Sequence, residues 1–92
     1  MVNAFVLINC ADRKDLSKLP DVMLKIDGIT EVYAIAGEYD YLAVVRVKDN
    51  ATLSQVVTNE LLKLKAIRHT KTTFALQSFS NVDLEKVFGV EG

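Results

Sequence analysis

The chain has 92 residues, half of them apolar and a quarter charged, which leaves room for one globular domain and excludes a disordered, collagenous or disulfide-built chain. Eleven basic residues stand against twelve acidic ones, a formal net charge of −1, without the basic excess that an autonomous nucleic-acid clamp carries. The single cysteine, Cys10, excludes an internal disulfide and a cysteine-based zinc site and fits a reducing cytoplasm; the N-terminus has no basic n-region of a signal peptide, and no apolar run approaches the ~20 residues of a membrane-spanning helix.

Val2 to Ala11 is rich in β-branched and aromatic residues and predicts a buried strand, ended by Asp12-Arg13-Lys14-Asp15. Leu16, Leu19, Met23 and Ile26 recur at steps of three and four, one face of a helix. Pro20 is tolerated in a first turn, which suits Ser17 as N-cap; an earlier start with a bend at Pro20 fits as well. Asp27-Gly28 is a natural stop. Thr30 to Ala36 and Tyr41 to Lys48 predict two strands joined by Gly37-Glu38-Tyr39-Asp40, an antiparallel hairpin. Thr52 and Gln55 fit a capping box, with Thr52 as N-cap of a helix whose stripe is Leu53, Val56, Val57, Leu61 and Leu64. His69 to Phe79 predicts a fourth strand. Residues 81–92 form a tail whose Val82, Leu84, Val87 and Phe88 suit a short docking helix.

This order is βαβ written twice. It predicts an α+β, ferredoxin-like βαββαβ sandwich over residues 1–80: a four-stranded antiparallel sheet with both helices on one face and strands one and three central. In such a fold the second sheet face should be polar, yet here both are apolar. Phe5 and Leu7 oppose Val6 and Ile8, and Tyr33 and Ile35 oppose Val32 and Ala34. A second copy, packed sheet to sheet through Phe5, Leu7, Tyr33 and Ile35, is the expected cover; the tail folding back is the alternative.

Signals for catalysis are sparse. His69 reads as a surface residue at a strand entrance, and Cys10 as a small buried hydrophobe. No metal-ligand spacing, glycine-rich phosphate loop or nucleophile elbow is present, so no cofactor or metal is expected. A small dimeric ferredoxin-like enzyme, a cofactor-free oxygenase or isomerase, remains the rival class; only Tyr33, Asp40 and His69 could serve it. Two polar clusters stand out instead. In Gly37-Glu38-Tyr39-Asp40, the glycine allows positive φ and Asp40 offers a carboxylate to an ammonium, or merely caps its own turn. In the fourth strand, Thr70 and Thr72 present hydroxyls on one face, though threonine is also simply a good strand residue.

The run Asp27 to Leu42, with its Gly37-Glu38-Tyr39-Asp40 element, followed by Ile67-Arg68-His69-Thr70-Lys71-Thr72, resembles the effector-binding (RAM) domain of the Lrp/AsnC feast/famine transcription regulators. The resemblance covers Val2 to Phe79. It departs at Ala36, where the family often has Thr, and at Ala66, where it usually has Gly. It resembles the stand-alone form, without a helix-turn-helix domain. The resemblance implies sheet-to-sheet dimers that assemble into rings, commonly octamers or decamers. It also implies a small effector, an amino acid or related metabolite, bound between dimers by Gly37, Glu38, Tyr39, Asp40, Thr70 and Thr72, with Asp40 on the α-ammonium. Full-length Lrp/AsnC regulators are the implied partners, with regulation of amino acid metabolism the output and no enzymatic activity, direct nucleic-acid binding or membrane attachment.

Overall fold

The computed structural model describes residues 1–11, 18–77 and 79. Seven segments follow in order: β1 (Val2–Cys10), α1 (Leu19–Leu24), β2 (Ile29–Ala34), β3 (Tyr41–Val47), α2 (Asn50–Gln55), a π-helical continuation of α2 (Val56–Leu61), and β4 (Ile67–Phe74). The strands form one antiparallel sheet in the order β2-β3-β1-β4. This is the ferredoxin-like α+β sandwich that the element order predicts, with β1 and β3 central.

Strand parity builds the core. Ala4, Val6 and Ile8 of β1 are fully buried, and their partners Val45, Ala43 and Tyr41 on β3 share that face. Leu19 and Met23 from α1 and Leu53, Val56 and Leu61 from α2 and its continuation close over it. Each large aliphatic side chain taken out of water this way contributes about 1.5–3 kcal/mol. Gly28 makes the turn from α1 into β2. Its φ is +99°, and a Cβ there would lie 2.8 Å from Val47 Cγ1.

The boundaries depart from expectation in four places. The N-cap of α2 is Asp49, not Thr52: its Oδ1 accepts from the Thr52 backbone N–H at 2.8 Å and from the Thr52 hydroxyl at 2.6 Å. An aspartate placed three residues before a threonine satisfies the orphan N–H and starts the helix earlier. These two bonds hold the Asp49 carboxyl below its usual range. The second correction is that β4 stops at Phe74. Ala75 still donates to the Asn3 carbonyl at 2.9 Å, but the strand pairing ends at Ala4–Phe74 and Leu76 is 98% exposed. β2 likewise ends at Ala34. Finally, α1 begins with Lys18 as N-cap, Pro20 in its first turn and no side-chain cap. Leu16, Ser17 and the tail expected over 81–92 lie outside the described residues.

Candidate functional site

The loop after β2 is tied down at several points. Ile35 donates to the Asp40 carbonyl at 3.0 Å, which closes a short hairpin around Gly37. Gly37 has φ +144°, with open space where a Cβ would sit, so its glycine serves the backbone conformation alone. The Asp40 N–H donates to the Ile8 carbonyl at 2.9 Å. Its Oδ2 accepts from the Cys10 backbone N–H at 2.7 Å, thirty residues away in sequence. Asp40 therefore caps the end of β1, not its own turn. Oδ1 has no hydrogen-bond partner among the described residues. The Tyr39 ring stacks on His69 of β4, with centroids 6.3 Å apart and planes 22° from parallel. Next to Asp40, burial raises the Tyr41 phenol above its ordinary range, and the nearby Cys10 and Asp40 add to it.

A cavity of about 310 Å³ opens here, lined by Asn9, Cys10, Ala11, Glu38, Asp40 and Arg68. Arg68 is the residue that sequence reasoning misses. β4 pairs His69 with Asn9 and then Ile67 with Cys10, so Arg68 is the extra residue of a bulge. Bulges re-aim side chains out of strand alternation, and a parity reading of the fourth strand has no signal for one.

Thr70 and Thr72 do not join this cavity within one subunit. They lie opposite Ile8 and Val6, on the helix-side face of the sheet. Thr72 lines a separate groove of about 220 Å³ with Asn50, Leu53, Ser54, Val57, Thr58 and Phe74. Glu38 and Tyr39 stay with Asp40 on the loop.

The face of the sheet away from the helices carries Phe5 and Leu7 of β1, Leu42 and Val44 of β3, and Tyr33 of β2. Ile35 continues it past the end of β2. Phe5 is 37%, Tyr33 49% and Ile35 36% exposed. At one corner the Tyr33 hydroxyl donates to Glu31, and Arg46 pairs with the same carboxylate at 3.7 Å. The Glu31 bond and charge push the Tyr33 phenol upward. Among the described residues there is no group of three or more His, Cys, Asp or Glu that could hold a metal, and no helix is long and apolar enough to cross a membrane.

Comparison with known proteins gives this geometry a family. A protein of Thermus thermophilus is 33% identical, with a TM-score of 0.81 over 88% of this chain and 100% of that one. AsnC of E. coli is 26% identical (TM-score 0.79), covering 84% of this chain and 52% of that one. A feast or famine regulatory protein from M. tuberculosis, complexed with L-methionine, is also 26% identical (TM-score 0.73), over 88% of this chain and 54% of that one. Homocitrate synthases of Saccharolobus islandicus and Saccharolobus solfataricus are 28% identical over 76 residues, 83% of this chain but only 16% of those enzymes' length. The family model for the Lrp/AsnC ligand binding domain matches residues 3–83. That span takes in all four strands, the Gly37–Asp40 loop and the bulged β4, and the chain belongs to the Lrp/AsnC ligand binding domain family.

Proposed function

We propose that this chain is an effector-sensing, oligomerising module that binds an amino acid or a close metabolite at a subunit junction. The observation that carries this reading is Asp40. One of its oxygens is engaged by the Cys10 N–H, the other has no described partner, and the residue lines a cavity with a guanidinium. An amino acid presents an ammonium and a carboxylate a few ångströms apart, which that pair of charges complements. The M. tuberculosis relative complexed with L-methionine supports the same chemistry.

In this reading the Gly37–Asp40 loop of one subunit meets Thr70 and Thr72 of another, since Thr72 lines a cavity separate from that of Glu38 and Asp40 within one chain. Phe5, Leu7, Tyr33 and Ile35 form the sheet-to-sheet dimer, and dimers assemble further into a ring. A site completed only on assembly couples ligand to oligomer. The output is cytoplasmic regulation of amino acid metabolism, exerted through full-length Lrp/AsnC regulators. A second output has its own support. The match to a portion of homocitrate synthases favours related modules being built into an enzyme chain, so a biosynthetic enzyme is the alternative regulated partner.

Calorimetry against the twenty amino acids, with light scattering in parallel, tests the reading. Binding below millimolar concentration that Asp40→Asn weakens, together with a ligand-dependent change in mass, is the expected result. An Asp40→Asn variant that binds like wild type, or no binding at all, overturns it.

A further inference from the structure

Building on the amino acid reading above, we propose that the cavity at the end of β1 selects an amino acid whose side chain carries a second cation, with Arg68 holding the α-carboxylate and Glu38 the side-chain cation. The lining is the first reason. It comprises Glu38, Asp40, Arg68 and Asn9, with only Cys10 and Ala11 besides. A zwitterionic backbone matches one acid and one base, here Asp40 and Arg68. Glu38 is then left over, and a carboxylate lining a bound ligand favours a cation or a strong donor opposite it.

Arg68 is the second reason. Among the described residues the ion pair is Arg46–Glu31, and Arg68 has none. As the extra residue of the β4 bulge it stands outside the strand alternation that fixes its neighbours. Its planar fork therefore stays available for two parallel bonds to a carboxylate, a geometry that lysine cannot supply. The third reason is what the lining lacks. Within one subunit no large apolar side chain contributes to it, so this subunit offers a leucine or methionine side chain little burial. A volume of about 310 Å³ sits at the small end of ligand cavities and suits a single amino acid. The preference thus differs from the methionine seen with the M. tuberculosis relative.

The test is calorimetry on the whole chain with L-lysine, L-arginine, L-methionine and L-leucine. Lysine or arginine should bind at least about ten-fold more tightly than methionine and leucine, the scale of one charge-assisted contact. Glu38→Gln should erase that preference while keeping the weaker affinity for neutral amino acids. Arg68→Met should weaken every amino acid by about ten- to hundred-fold, with an unchanged circular dichroism spectrum. Tighter binding of methionine or leucine than of both basic amino acids, or a Glu38→Gln variant with the wild-type preference, overturns the selection and leaves the amino acid reading standing. Failure of all twenty amino acids to bind overturns both.

Discussion

Asp40 accepts from the Cys10 N–H and, in the proposed function, also meets an ammonium, so a single alanine substitution there confounds the two. Removing the carboxylate takes the acceptor from the Cys10 N–H and should cost about 1–2 kcal/mol of stability in urea titrations. Asp40→Asn keeps an acceptor oxygen, should retain most of that stability, and should lose the attraction for an ammonium. Sequence alone leaves Asp40 balanced between ligand and turn cap. What settles its structural role is a contact across thirty residues, which no local pattern encodes. Arg68 is hidden for a related reason: it belongs to a bulge, and bulges arise from pairing between strands, not from one strand's own alternation. Asp49 offers a pH test at the same scale. Its folded carboxyl is held below 3.8 by the Thr52 hydroxyl and N–H, so its contribution is complete above that value and lost as pH falls through the depressed one. Asp49→Ala should lower the melting temperature by a few degrees at neutral pH, and the gap from wild type should close below pH 3.8.

Among the elements, those defined by long apolar patterns are legible in the sequence and those defined by local chemistry are not. Val2–Cys10 and Tyr41–Val47 follow from their apolar, β-branched-rich runs, whose inward residues are the core. The start of α2 is misplaced in the sequence reading because Thr52 and Gln55 match a capping box, and only the paired hydrogen bonds show that the helix uses Asp49. The π-helical stretch Val56–Leu61 keeps Val56 and Leu61 buried; a stripe at three- and four-residue steps looks the same with or without it. The Leu62 N–H donates to the Val57 carbonyl at 3.1 Å, five residues back, where an α-helix would bond four back. Gly28 makes a sharper prediction. Gly28→Ala must place a Cβ against Val47 while holding φ at +99°, and should destabilise the fold by about 1–3 kcal/mol. Thermal unfolding followed by circular dichroism measures it; a loss below a few tenths would show that the turn relaxes.

At the scale of the whole molecule, the proposed assembly rests on the sheet face opposite the helices. Phe5, Leu7, Tyr33, Ile35 and Leu42 form an apolar surface of a kind that monomers rarely leave bare. Light scattering at micromolar concentration should therefore give a dimer or larger. Leu7→Asp puts a charge at the centre of that face and should split the assembly, with circular dichroism to check that the monomer stays folded. With a net charge of −1, the chain by itself should give no sequence-selective shift with duplex DNA at moderate salt. The doubly apolar strands make this face legible in the sequence, since both helices α1 and α2 pack on the other one.

The antiparallel register also sets a distance. Val2 pairs with Val47 at one end of β1, and Ile8 with Tyr41 at the other. β4 runs back the same way, so Phe74 leaves the sheet beside Ala4. The entry into β1 and the exit from β4 thus share one end, and the Asp40 loop occupies the opposite one. The length of β1, Val2 to Cys10, separates them, roughly 26 Å at ~3.3 Å per residue. A domain joined directly before β1 or directly after β4 would therefore be attached far from the cavity. Among the described residues, the central strand β1 runs from that end to the cavity. Under the proposed function, such a layout would let one sensor be grafted onto unlike effectors, a DNA-binding domain or an enzyme, without redesigning the cavity each time.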